Sequence, residues 1–260
     1  MKNNDLAICV VGNFKYLRKY FNTFYDELTE QGNYKGTIII LTSYFTPTFL
    51  VSRTYKNNVM ILRNKDIKFN KITTKKLNEL SNKGQPNRNL TKGYQWNKLH
   101  LFDEKMKKWQ YIFYIDVNMH FHGDISEILK NPPNKNLLAR ADSYPDYEKK
   151  LISQFDVTQE SFQKLSSKYD LEIKNYFQTG IMFFDTLIIN STTKNDLIKL
   201  TNEFPLSVTN EQGIMNLYFI FDRNLYQELP IKISNKTTYF YWMVEGEEIL
   251  ITKQLRTQYK

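Results

Sequence analysis

The sequence predicts an α/β fold with one mostly parallel central sheet flanked by helices. Three observations carry that expectation. The chain opens as strand, helix, strand, the order of a βαβ unit and hence of a parallel sheet. Its strand-like segments are continuous apolar runs rather than alternating ones, as strands buried on both faces require. Polar clusters gather just beyond those runs, where open parallel sheets bind ligands.

Residues 6–11 (LAICVV) read as a buried strand that stops at Gly12-Asn13. Phe14, Leu17, Phe21, Phe24 and Leu28 then recur at helical spacing, with Gly32 just past the end. Residues 37–41 (TIIIL) and 59–62 are the next two strands, and Pro47 interrupts regular structure between them. The stretch 63–91 is polar, with Gly84-Gln85-Pro86-Asn87 marking a loop and one short helix near 75–80. A helix is expected over about 94–107, on Trp96, Leu99, Phe102 and Met106. Residues 111–115 (YIFYI) form the clearest central strand and end at Asp116. Residues 136–141 and 181–184 are further strands, and 160–169, 196–204 and 211–221 further helices.

The chain has 260 residues, 41% hydrophobic and 24% charged, ordinary for a globular protein. With no repeat and no Pro/Gly/Ser linker, a single domain over 1–260 is expected. Cys9 is the only cysteine, which excludes a disulfide scaffold. No 18-residue apolar run exists, so no membrane span is expected, and the short apolar N-terminal run suggests a cytoplasmic protein. The formal charge of +9 favours acidic partners such as phosphate. The lysines are spread along the chain with no block of five or six like charges, so nucleic acid is not the expected partner.

Three polar clusters sit at strand ends: Gly12-Asn13, Asp116-Val117-Asn118 and Gln178-Thr179-Gly180. Asp116 and Asn118 place two oxygen donors one residue apart, a pattern suited to Mn²⁺ or Mg²⁺. An Asp at a strand end also caps turns, so the pair by itself leaves both readings open. Asp142 and Glu211 lie outside the apolar stripes and are candidate functional carboxylates. Glu211 equally suits the first turn of a helix. In an extended chain Asp116, Asn118, His120 and His122 would share one face. Surface or packed histidines remain the simpler expectation.

Five segments, in order, resemble the glycosyltransferases of the GT-A fold, nearest to family eight, the group of glycogenin and the galactosyltransferases. They are Ala7–Tyr16 (AICVVGNFKY), Asn97–Phe102 (NKLHLF), Tyr111–Ile125 (YIFYIDVNMHFHGDI), Tyr176–Phe184 (YFQTGIMFF) and Asn210–Phe219 (NEQGIMNLYF). The resemblance implies a retaining transferase that takes a UDP-sugar donor and passes its sugar to a glycan or protein acceptor, assisted by Mn²⁺ or Mg²⁺. It implies that Val10, Gly12, Asn13 and Tyr16 hold uridine, with Tyr16 stacked on the base. Lys98 would reach the diphosphate or a sugar hydroxyl. Asp116, Val117 and Asn118 would carry the ribose and metal contacts, Asp116 and Asn118 as the metal ligands. Asp142, in Ala141-Asp142-Ser143-Tyr144-Pro145, would hold donor-sugar hydroxyls. Gln178, Thr179 and Gly180 would line the sugar pocket, with Glu211 and Gln212 nearest the anomeric carbon.

Two departures matter. Asn118 stands where the family has a second Asp, and an amide oxygen brings no charge to a cation. The family's late His-x-x-G-x-x-K-P-W segment, source of a third metal ligand and a diphosphate-binding lysine, has no counterpart here. The tail residues Lys253, Arg256 and Lys260 are candidates to replace its positive charge. A sugar-nucleotide nucleotidyltransferase and a catalytically degenerate binder of UDP-sugar or nucleic acid remain the alternatives. The first would need a glycine-rich basic loop after the opening strand, where this chain has one glycine, Gly12.

Overall fold

The computed structural model describes residues 5–83, 93–142 and 148–258. In chain order its strands begin with β1 (Leu6–Val11), β2 (Thr37–Ser43), β3 (Val59–Asn64), β4 (Tyr111–Ile115), β5 (His120–Phe121) and β6 (Leu137–Ala141). They continue with β7 (Phe177–Asp185), β8 (Tyr226–Glu228), β9 (Lys232–Ile233), β10 (Lys236–Thr237), β11 (Phe240–Val244) and β12 (Ile251–Gln258). Seven of them form the central sheet in the order β3-β2-β1-β4-β7-β6-β8. Pairings β1–β2, β1–β4, β2–β3 and β6–β8 are parallel. β7 runs antiparallel to both β4 and β6. The expectation of a mostly parallel sheet in an α/β fold therefore holds.

The apolar runs are continuous because the sheet is covered on both faces. Strand side chains alternate between two cores. Cys9, Val11, Ile39, Leu41, Ile112, Tyr114, Met182 and Phe184 pack on one face. Ile8, Val10, Ile38, Ile40, Phe113, Ile115, Ile181 and Phe183 pack on the other. The helical run 14–30 covers this second face with Leu17, Phe21, Phe24 and Leu28. Asn13 starts it, its Oδ1 accepting from Tyr16 N at 3.0 Å, and a π turn, Leu17–Phe21, interrupts it.

Three expectations change in detail. The helix foreseen over 94–107 breaks into short turns, Gly93–Trp96, Asn97–Phe102 and Glu104–Lys108. Asn97 through Phe102 are all buried, and six consecutive buried side chains do not fit the single apolar stripe of a surface α-helix. Asn97 also leaves the helical pattern to accept from Ile67 N at 3.2 Å and donate to Asp66 Oδ1 at 2.8 Å. The run 211–221 is α-helical only over Glu211–Asn216 and continues as a π turn, Leu217–Asp222. The third change lies past residue 221, where no strand was foreseen. There β11 pairs parallel with β12, and β12 pairs antiparallel with β5, bringing Thr252 opposite His120. The foreseen loop Gly84-Gln85-Pro86-Asn87 lies outside the described residues.

His100 is buried, its Nε2 donating to Lys65 O at 2.9 Å while Nδ1 has no partner. Burial, reinforced by Lys194 and Lys105, holds its pKa below the usual histidine value. Between that lowered value and about 6.5 the unfolded chain binds the extra proton, so stability falls as pH falls through this window. Urea denaturation from pH 7 to pH 5 should show that slope, and His100→Gln should flatten it.

Candidate functional site

The chemistry-bearing residues converge where β1, β4 and β7 present one end of the sheet. Asp116 follows β4 directly, its N–H donating to Gly180 O at 2.8 Å. Asp116 O then accepts from Met119 N at 3.0 Å, closing a turn. That turn separates His120 and His122 from Asp116. His120 Nδ1 faces Glu27 Oε1 at 3.0 Å and His122 Nε2 faces Thr252 Oγ1 at 2.8 Å, so both histidines are structural.

Two adjoining cavities meet at Asp116. The larger, about 780 Å³, reaches Asp142, Gln178, Thr179, Gly180, Glu211 and Gln212. The smaller, about 110 Å³, is bounded by Val11, Tyr94, Tyr114, Val117 and Asn118. Tyr16, Gln95, Lys98, Asp116 and Lys253 border both.

The floor between the cavities is a charge network. Lys98 Nζ lies 3.1 Å from Asp116 Oδ1 and 2.8 Å from Glu211 Oε1. It also donates toward Thr179 O at 3.3 Å. Three acceptors thus meet the three donors of the ammonium, so Lys98 joins the two carboxylates rather than reaching outward. Lys253 Nζ donates to Asp116 Oδ2 at 2.8 Å, and Tyr114 OH donates to Oδ1 at 2.6 Å. Burial alone would raise the Asp116 pKa, but Lys253 and Lys98 outweigh it and hold the carboxyl far below its usual range. Burial likewise opposes charge on Lys98, and Asp116 with Glu211 reverses the sign and raises its pKa. Glu211 accepts a further bond from Thr179 Oγ1 at 2.8 Å.

Gln212 stands beside this network and is held at both ends. Its Oε1 accepts from Thr179 N at 3.2 Å and its Nε2 donates to Gln154 Oε1 at 2.8 Å. Asp142 Oδ2 accepts from Tyr176 OH at 2.8 Å, and Gln178 Oε1 accepts from Tyr239 OH at 3.3 Å. Gly180 leaves room for the Met119 side chain: a Cβ there would lie 2.8 Å from Met119 Cε and 3.4 Å from Asp116 Oδ2. Tyr16 packs against Tyr94 with ring centroids 5.0 Å apart.

Other expected residues sit elsewhere. Val10 points into the core, and Val11 is the neighbour that borders the smaller cavity. Gly12 and Asn13 shape the turn after β1: Gly12 O accepts from Thr42 Oγ1 at 2.7 Å, and Asn13 caps the following helix. Neither residue borders either of the two cavities. Ser143-Tyr144-Pro145 lie outside the described residues.

Sequence reasoning missed several cavity residues. Gln154, Tyr239, Phe240, Tyr241 and Trp242 carried no motif. Asn210 is the most telling of them. It adopts φ 55°, ψ −125°, a strained conformation for a residue other than glycine. Its Nδ2 bonds Gln95 Oε1, and its buried Oδ1 has no partner. The signal available in advance was its place directly before Glu211.

A divalent cation at Asp116 and Asn118 was expected. The residues present do not fit one. Both oxygens of Asp116 already carry ammonium donors, and Asn118 offers a neutral amide. Among the described residues no three His, Cys, Asp or Glu side chains gather to form a metal site.

No protein-family model and no curated protein matches this sequence. Solved structures do. Mouse xyloside xylosyltransferase 1 superposes with TM-score 0.54 at 11% identity, over 96% of this chain and 97% of that one. The galactosyltransferase LgtC, solved with donor and acceptor sugar analogues, gives 0.53 at 12% identity, over 92% and 76%. The bifunctional glycosyltransferase WbbM gives 0.53 at 16% identity, over 94% of this chain but only 40% of its own length. The fold is that of GT-A glycosyltransferases. Among the described residues no helix is long and apolar enough to cross a membrane.

Lys98→Met strands Glu211 and half of Asp116 without a counter-charge. Removing one partner of a buried ion pair costs about 3–5 kcal/mol. Urea denaturation should show that loss, and Lys98→Met/Glu211→Gln should recover part of it.

Proposed function

We propose that this chain is a glycosyltransferase that moves a sugar from a UDP-sugar to a hydroxyl acceptor. The observation that carries the reading is the pair of cavities meeting at Asp116 on a GT-A fold. A nucleotide sugar has the same two-part shape. Its base suits the smaller cavity, of about 110 Å³, where Tyr16 supplies an aromatic face, and its ribose falls at the junction beside Asp116. Its sugar suits the larger, polar one, where Asp142, Gln178 and Gln212 present acceptors and donors to hydroxyls.

In this arrangement Asp116 sits at the junction, within reach of the ribose, and Val117 and Asn118 form the adjoining wall. Transfer breaks the bond from the anomeric carbon to the β-phosphate oxygen, and the electron pair leaves with UDP. The acceptor oxygen bonds the anomeric carbon, and its proton passes to the departing phosphate. Retention of configuration, which the family resemblance favours, follows if the acceptor enters on the face that UDP leaves. Glu211 and Asp142 supply negative charge beside the positive anomeric carbon. Exposed Tyr241 and half-buried Trp242 at the edge of the larger cavity offer aromatic faces against which an acceptor glycan ring can stack.

Turnover and donor binding test this proposal. UDP release from a panel of UDP-sugars, followed by NMR, should single out one donor. Glu211→Gln should lower that rate about 100-fold, the scale expected for a lost electrostatic stabiliser. Tyr16→Ala should chiefly weaken donor binding. Near-wild-type turnover in Glu211→Gln and Asp142→Asn together would sink the assignment, and binding without turnover would favour a non-enzymatic binder.

A further inference from the structure

We infer that Lys253 takes the place of a divalent cation at this site, so that the leaving diphosphate is neutralised by ammonium rather than by metal. The inference rests on the glycosyltransferase reading above and concerns what meets the diphosphate.

Charge arithmetic comes first. Two carboxylates balance a divalent ion. Here Glu211 balances Lys98, which leaves one carboxylate, Asp116, to balance one further ammonium, Lys253, and Asn118 contributes no charge. A site with one carboxylate and one lysine is therefore as neutral as a site with two carboxylates and a divalent ion. The loss of the second acid and the arrival of Lys253 compensate one another.

Geometry then places that ammonium. β12 pairs antiparallel with β5, Ile251 against Phe121 and Thr252 against His120. Extending the register sets Lys253 beside Met119, the residue that closes the Asp116 turn. Its Nζ comes to 2.8 Å from Asp116 Oδ2. The same side chain borders both cavities, as an ion between ribose and sugar would have to.

The two lysines differ in what they can still bind. Lys98 is 11% exposed at its side chain and is surrounded by Asp116, Glu211 and Thr179. Lys253 is 25% exposed, and Asp116 takes one of its three donors. The remaining donors can meet phosphate oxygens. As the anomeric C–O bond breaks, its electron pair falls on the β-phosphate oxygen, and Lys253 meets the charge that develops there. A fixed charge next to a developing one stabilises the transition state without further reorganisation. An ammonium is also a strongly hydrated point charge that shifts with its stem, unlike a metal held by several ligands.

The test uses UDP as the probe and calorimetric titration as the readout, with the whole chain first stripped by EDTA. The wild type should bind UDP equally well in EDTA and in Mn²⁺. Lys253→Ala should weaken binding about tenfold or more, the loss of a charge-assisted contact, and Lys253→Arg should restore most of it. The salt dependence of binding should be shallower in Lys253→Ala. If Lys253→Ala unfolds, Lys253→Gln, which keeps an amphipathic stem, carries the same comparison. UDP binding that is lost in EDTA and restored by Mn²⁺ would overturn the proposal while leaving the transferase reading standing. So would UDP binding by Lys253→Ala at wild-type strength. No binding of UDP by the wild type in either condition would overturn both.

Discussion

A buried ammonium sets the terms for the rest of the site. Lys98 lies between Asp116, at the end of β4, and Glu211, at the start of the helical turn Glu211–Asn216. Without it Glu211 would lose its counter-charge and Asp116 would keep only Lys253, and a buried ammonium is costly there without the carboxylates. The three groups also tie together elements distant in sequence, because Thr179 on β7 bonds both Lys98 and Glu211. Strand, strand and helix are thus locked by charge at the edge of the cavities. Packing holds the sheet; this network fixes what the sheet presents.

The surrounding residues read as supports for that network. Gly180 is small where Met119 closes the Asp116 turn, and its carbonyl anchors the Asp116 N–H. Gln212 is gripped by Thr179 and Gln154, which leaves it one orientation at the cavity wall. Asn210 holds a strained backbone directly before Glu211. Strain of this kind persists only where neighbours enforce it, and here Gln95 holds the Asn210 amide. A polar floor that is rigid before any ligand arrives suits a reaction in which charge moves from a sugar to a phosphate.

Much of the fold was legible in advance, and the reasons are local. Continuous apolar runs such as residues 37–41 mark strands covered on both faces. Phe14, Leu17, Phe21, Phe24 and Leu28 mark a helix lying on one of them. The broken helix at 94–107 was not legible. Its side chains are buried all round by tertiary neighbours, and amphipathic spacing carries no trace of that. Val10 and Val11 show the limit in miniature. They are chemically the same residue, and only strand pairing decides which one faces the cavity.

Sequence by itself determined the order of the elements, the polar clusters at the ends of β1, β4 and β7, and the candidacy of Asp116, Asp142 and Glu211. It also flagged the missing second acid at Asn118 and named Lys253 among the possible sources of replacement charge. Tertiary structure decided which of those charges meet. Lys98 reaches both Asp116 and Glu211, and Lys253 reaches Asp116 across 137 residues of chain. The Lys253 contact depends on the pairing of β12 with the two-residue strand β5, and no local periodicity records that pairing. Residue type settles which charges a chain owns, and the long-range fold settles which of them lie within 3 Å of each other.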